Sequence, residues 1–251
     1  MKIKILLFLI GIMVGAYIGG FFTSQTVYVY YYNYTTREVP RVPVEINASN
    51  VSFVSITVPA VDQEGNGVST ILDVQIAPGS GKTLVNVDKL LFWTDTQNSI
   101  RTAKKVAEEV TNTSLESYDI IYTITANASV IEGPSAGAAL TIATIAAIQN
   151  RQINSSVMIT GTINHDGTIG PVGEIIAKAQ AAKEIGAELF LVPLSQSAQI
   201  TYESRRYCEK IGFTQICTIE QIPQKVDVSE KVGIRVKEVR TIQEALEYFL
   251  V

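Results

Sequence analysis

The chain has 251 residues, 47% of them hydrophobic, and a formal net charge of −4. That length holds one large domain or two small ones, and that apolar fraction is too high for a disordered chain. Lysine and arginine are scattered with no basic stripe, which argues against nucleic acid as a partner, and a single histidine, His165, removes most His-dependent metal sites.

Lys2 and Lys4 precede an uncharged apolar run, residues 5–22. Eighteen residues at about 1.5 Å each span roughly 27 Å, close to the thickness of a bilayer core. A cleaved signal peptide would have a shorter apolar region and a small-x-small site, a reading that Gly19 and Gly20 keep open. The tyrosine-rich stretch at 28–34 suits a membrane interface, where rings are buried and hydroxyls stay wet. Residues 1–34 are thus predicted to be a signal anchor, a single-pass transmembrane helix with an aromatic flank. With the lysines inside, the rest lies on the extracytoplasmic side of the cell membrane. Six Asn-x-Ser/Thr acceptor sites, at Asn33, Asn47, Asn50, Asn112, Asn127 and Asn154, fit a glycosylated, exported protein. Residues 35–50, with Pro40 and Pro43, read as an extended stalk.

From Val51 to Val251 the pattern is globular. "VSFVSITVPAV" and "STILDVQIAPG" read as strands, and "TQNSIRTAKKVAEEVTN" as a helix with Ile100, Ala103, Val106, Ala107 and Val110 on one face. "YDIIYTITA" is a strand, followed by a helix over 134–149. "SSVMITGTI" and "GTIGPVG" are strands about a turn at "NHDG". A helix runs over 173–185 and ends at Gly186. "AELFLVP" is a strand, "SAQITYESRRYCEKIG" a helix and "KVGIRVKEV" a strand. The last helix starts at Thr241, with Glu244 completing a capping box. Strands and helices mix without strict alternation, so the fold class is α+β. An exported protein permits a disulfide between Cys208 and Cys217, although two buried thiols fit equally well.

Two motifs fail. "APGSGKT" ends like a phosphate-binding loop, but Ile76 stands where the motif needs its first glycine. ATP is not implied, nor is any other cofactor or metal. His165 sits in the polar turn "NHDG" and is a poor base, because a base must be held within hydrogen-bond reach of its nucleophile.

The stretch "IEGPSAGAAL" is different. Pro134 suits the first position of a helix, which sets Ser135 in the first turn, where unpaired N–H groups and the helix dipole favour negative charge. An oxyanion needs that environment when a hydroxyl attacks a carbonyl. A serine needs a base to take its proton. Lys178 lies three residues after Ile175 and four before Ala182, on the face that also carries Ala179 and Ile185. Burial there lowers a lysine's pKa and supplies the neutral amine that a base must be. Lys183 and Glu184 fall at the edge of that face and read as solvated.

"EGPSAG", with Lys178 in "GPVGEIIAKAQAAKEIGA" 43 residues after Ser135, resembles the proteolytic domain of Lon-type serine peptidases, in a membrane-anchored, ATPase-lacking form of archaeal type. The resemblance covers roughly residues 51–250. It implies a Ser135–Lys178 dyad, with Thr160 of "MITGTI" near the lysine and backbone N–H groups from Gly133 to Ala136 holding the oxyanion. Glu132 stands where many members have aspartate. It further implies an ATP-independent endopeptidase acting on unfolded or flexible polypeptides, and a homo-oligomeric ring as one assembly. A catalytically idle peptide-binding or assembly module of the cell envelope is the alternative.

Overall fold

The computed structural model of the chain describes residues 51–86, 94–126 and 133–250, all within the compact unit Ile46–Val251. The segments predicted as anchor (1–34) and stalk (35–50), and Glu132, lie outside the described residues. Among the described residues no helix is long and apolar enough to cross a membrane.

The first layer is a four-stranded sheet in the order β1-β2-β4-β3: β1 Ser52–Val61, β2 Gly67–Pro78, β3 Thr83–Asn86 and β4 Tyr118–Ala126. Alternation decides which face is buried. Val54, Ile56 and Val58 of β1 and Leu72, Val74 and Ile76 of β2 point inward, while Phe53 and Ile71 stay exposed. β1 and β2 pair without a break from Ser52↔Ile76 to Val61↔Gly67. Their turn is tied by the Asp62 carboxylate, which accepts from the N–H groups of Glu64 (3.0 Å) and Asn66 (2.8 Å).

Helix α1, Thr94–Thr111, lays Ile100, Ala103, Val106 and Ala107 into the core. Helix α2, Gly137–Gln149, is buried on every side from Gly137 to Ala147. A helix that is apolar all round must sit inside a fold. α2 packs between the first sheet, α1 and the C-terminal helix α5, Ile242–Phe249. Its two interior threonines return their hydroxyls to carbonyls four residues back, Thr141 to Gly137 and Thr144 to Leu140. Thr144 also meets the buried Tyr122 hydroxyl at 2.9 Å, and burial pushes that phenol's pKa well up.

The second layer is a parallel sheet, β11-β8-β5: β5 Val157–Ile159, β8 Leu189–Pro193 and β11 Arg235–Val239. β5 faces two ways. Val157 and Ile159 join the α2 core, whereas Met158 joins a separate cluster with Phe190, Val192, helix α3 (Ile175–Glu184) and helix α4 (Val228–Val232). Burying Phe190 alone contributes on the order of 2–3 kcal/mol. A short ribbon, β6 Thr162–Ile163 with β7 Ile169–Gly170, frames the NHDG turn. Thr241 caps α5 as expected, accepting from Glu244 N–H, but the Glu244 carboxylate turns back to Arg240 N–H.

One predicted helix is wrong. "SAQITYESRRYCEKIG" is strand β9, Ala198–Ile211, which pairs in antiparallel fashion with β10, Thr214–Asp227. The residues that decide this come directly after it in the chain. Gly212, at φ 63, opens a two-residue hairpin turn, and β10 supplies the Thr/Ile/Val-rich partner strand. A second correction concerns Ile185, which is 44% exposed rather than on the buried face, because the chain leaves the helix there. Lys183 is exposed, yet its ammonium donates to Val232 O at 2.6 Å and ties α3 to the end of α4.

Candidate active site

Ser135 lies in a three-residue 3-10 turn, Pro134–Ala136, that leads into α2. Gly133 before it takes φ 98, a conformation that favours glycine and that turns the chain sharply into Pro134. The turn is stitched to the segment after β5. Gly161 N–H donates to Ser135 O at 3.0 Å, Ala138 N–H donates to Gly161 O at 3.0 Å, and the Thr160 hydroxyl reaches Ser135 O at 3.4 Å. Gly137 has Ile163 so close that an added Cβ would lie 2.8 Å from its backbone N and Cγ2. The small residues around Ser135 therefore admit a neighbouring segment to close contact. Ser135 itself remains half-exposed.

Gly137 N–H donates to Pro134 O, so α2's first donors are engaged within the protein. Pro134 has no N–H. Gly133, Ser135 and Ala136 carry the other backbone N–H groups of this turn, the segment from which the sequence predicts an oxyanion site.

Lys178 is 4% exposed on α3, beside Ile175, Ala179 and Ala182. Burial pushes its pKa from 10.5 down to about 8, and the Glu174 carboxylate one turn earlier pulls part of the way back up. The carboxylate that favours the Lys178 ammonium among the described residues is thus Glu174. Glu174 has φ 57 and ψ 41, a left-handed conformation costly for a residue with a Cβ. Glu174→Gln removes a charge that favours the ammonium, so the ascending limb of activity should move to lower pH. pH–rate profiles of the two forms test this, and an unmoved limb would remove Glu174 from the site.

The helix carrying Lys178 is positioned from outside itself. Gln199, at the base of β9, accepts from Ile176 N–H at 3.1 Å, in α3's first turn. Gln196 accepts from Val172 N–H at 2.9 Å and donates to Val172 O at 2.7 Å. At Gly67 the start of β2 touches α3, and an added Cβ would overlap Ala177 O and approach Ala181 Cβ at 3.1 Å. Gly67→Ala should push α3 outward and lower kcat on the order of 10²-fold, the effect of an ångström-scale misplacement, with the far-ultraviolet spectrum retained. Unchanged kcat would show that Lys178 tolerates the shift. Sequence reasoning missed all three residues, because each acts on a partner 23 or more residues away through backbone contacts.

Thr160 is fully buried at the seam between the two clusters, two residues after Met158. Its N–H donates to Leu191 O, and its hydroxyl reaches the Ser135 turn. It is therefore tied to the serine's turn directly.

Other predicted positions lie apart from this chemistry. The loop 79–82 wraps a carboxylate: Ser80 and Lys82 N–H groups donate to Asp119 Oδ1 at 2.8 and 2.9 Å, which holds that acid's pKa down. A strand, not a helix, follows the loop, so no helix N-terminus stands there to receive an anion. His165 is exposed in its turn. Cys208 and Cys217 stand directly opposite in the β9–β10 hairpin and form a disulfide. Among the described residues no cluster of metal-ligating side chains occurs. Two described acceptor asparagines have local structural roles. Asn112 sits at φ 49 just past α1, and Asn154 accepts from Ser156 N–H and Oγ.

A serine at a helix start and a buried lysine of lowered pKa have the chemistry that a serine nucleophile and a lysine base require. Residues 89–249 match the Lon protease (S16) C-terminal proteolytic domain, and the chain belongs to that family. It is 25% identical over 194 residues to an archaeal Lon protease of Thermococcus kodakarensis, which covers 76% of this chain and 30% of that protein. It is 31% identical over 121 residues to Lon protease 2 of Bacillus subtilis, covering 48% of this chain and 17% of that one. For an archaeal Lon protease of Methanothermobacter thermautotrophicus the values are 25% over 126 residues, 50% and 19%. The chain thus spans less than a third of the length of these curated relatives.

Proposed function

We propose that this chain is a serine endopeptidase that works without ATP, with Ser135 as nucleophile and Lys178 as base. The observation that carries the reading is Lys178, 4% exposed and with its pKa held near 8, in a chain of the Lon proteolytic family. At neutral pH a usable fraction of that lysine is uncharged, unlike a solvated lysine. Neutral Lys178 takes the Ser135 proton as Oγ attacks a peptide carbonyl. N–H groups of the Gly133–Ala136 turn stabilise the oxyanion. The C–N bond breaks, and the leaving amine takes the proton from the Lys178 ammonium. Water, with its proton going to Lys178, then attacks the acyl ester, the C–Oγ bond breaks, and the Lys178 ammonium returns the proton to Ser135 Oγ.

Asp119 in the 79–82 loop supports independence from nucleotide. Substrates would be unfolded or flexible segments that lie extended. Residues 5–22 would tether the enzyme to the cell membrane, with 51–251 on the extracytoplasmic side, and a ring of copies is the assembly this family suggests. The test is incubation of the full chain with a reduced, alkylated polypeptide, with and without ATP, alongside a serine-reactive fluorophosphonate. Cleavage without nucleotide and labelling at Ser135 are expected. Absence of both would leave an idle peptide-binding module, and cleavage only with ATP hydrolysis would overturn the nucleotide claim.

A further inference from the structure

β9 and β10 pair with each other across fourteen residues each, and with no other described strand. At about 3.3 Å per residue, a strand of that length is roughly 46 Å long. Its far end is apolar and wet. Phe213 at the turn is 108% exposed, and Tyr207, Ile211, Ile216 and Ile219 are each more than half exposed. In the register of the pair, Ile211, Ile216 and Tyr207 fall on one face, with the Cys208–Cys217 disulfide on the other. Ile200 and Tyr202 at the base are exposed too, so apolar side chains run along the hairpin and end at Phe213; exposed apolar patches of this kind mark binding surfaces.

Charge is divided along the hairpin. The tip half, 205–219, holds Arg205, Arg206 and Lys210 against Glu209 alone. The base half holds Glu203, Glu220 and Asp227 against Lys225 alone, in a chain whose net charge is −4. Arg205 leans toward Glu203 at 3.7 Å, an exposed pair that contributes little. Arg206 and Lys210 lie on the disulfide face of β9, and Arg205 shares the Tyr207 face with Glu209. An apolar tip with net positive charge behind it, on an otherwise acidic protein, is complementary to an anionic bilayer surface. Apolar side chains can enter the headgroup region, and each nearby cation adds attraction to anionic lipid.

We propose that the tip of the β9–β10 hairpin inserts into an anionic lipid surface, with Phe213 leading. Gly212 allows the tight turn that puts Phe213 at the apex, and the disulfide holds the strands together one turn's depth behind it. The contact is independent of residues 5–22 and of the peptidase chemistry, so it stands or fails separately. Because the base of β9 also holds Ile176 N–H through Gln199, the hairpin joins the lipid contact to the helix carrying Lys178.

The test uses the full chain in vesicles with brominated acyl chains, Trp93 being kept and the wild-type signal subtracted. Phe213→Trp reports the tip, and Glu64→Trp, in the exposed β1–β2 turn, reports mere proximity to the vesicle. In phosphatidylglycerol vesicles the indole at 213 should shift to the blue and be quenched several-fold more than that at 64. The excess should fall in phosphatidylcholine and in Arg206→Glu/Lys210→Glu. Equal quenching at the two positions overturns the proposal. So does a blue shift without lipid, whether it depends on protein concentration, which would mark a contact between copies, or on an added alkylated polypeptide, which would mark a substrate arm.

Discussion

Ser135→Ala should lower the rate of peptide cleavage by about 10³-fold or more while leaving the fold intact. The side chain is half-exposed, and the bonds that hold its turn use the Ser135 carbonyl, which the substitution keeps. Losing Oγ therefore removes the nucleophile with little structural change. Lys178→Ala should remove activity to a similar degree. Groups that act as one unit are not additive, so the double variant should be no slower than either single one. Initial rates on one unfolded substrate, with thermal unfolding as the control for folding, measure all three. A Ser135→Ala protein that keeps a tenth of its activity would show that another residue attacks.

Lys178→Met should stabilise the protein at neutral pH while abolishing cleavage. Burial lowers the lysine from 10.5 to about 8. Below pH 8 both folded and unfolded chains hold the proton, and the folded state carries the full penalty of burying a charge, about 3 kcal/mol at 1.36 kcal/mol per pKa unit. Between pH 8 and 10.5 the unfolded chain binds more protons than the folded one, so stability rises with pH across that window. Methionine has a similar shape and no charge, so the variant should gain about 2–3 kcal/mol near pH 6.5 and lose the rise. Urea unfolding at pH 6.5 and 10 reads both. Equal pH slopes in the two proteins would mean that Lys178 reaches water. The same pKa places the rise of activity with pH near pH 8, above the range of a free imidazole, and His165→Gln should leave that rise in place, since the imidazole stands exposed in its turn.

Local features were legible in the chain itself. Pro134 marks the start of the 3-10 turn that leads into α2, and α2 begins at Gly137, where a small-residue run can be buried on all sides. The three- and four-residue spacings from Ile175 and to Ala182 put Lys178 on the buried face. Ile76 stands where a phosphate loop needs glycine, and the fold adds that the loop's Ser80 and Lys82 N–H groups donate to Asp119. Both strand alternation and helix periodicity are set by neighbouring residues, and so they survive without knowledge of the rest of the fold.

The hairpin shows where that stops. The residues of β9 carry apolar side chains at intervals that a helix and a two-sided ribbon can both accommodate, and only pairing with β10 settles the matter. The site depends on distant contacts in the same way. Glu174 faces Lys178 in a strained conformation, Thr160 meets the Ser135 carbonyl across 25 positions, and Gly67 admits α3 against β2. Sequence by itself determined which residues carry nucleophilic or basic side chains and, for Lys178, which face of its helix it occupies. Tertiary structure decided how deeply Lys178 is buried, and hence its pKa, because desolvation is set by the elements packed around a group and not by its neighbours in the chain.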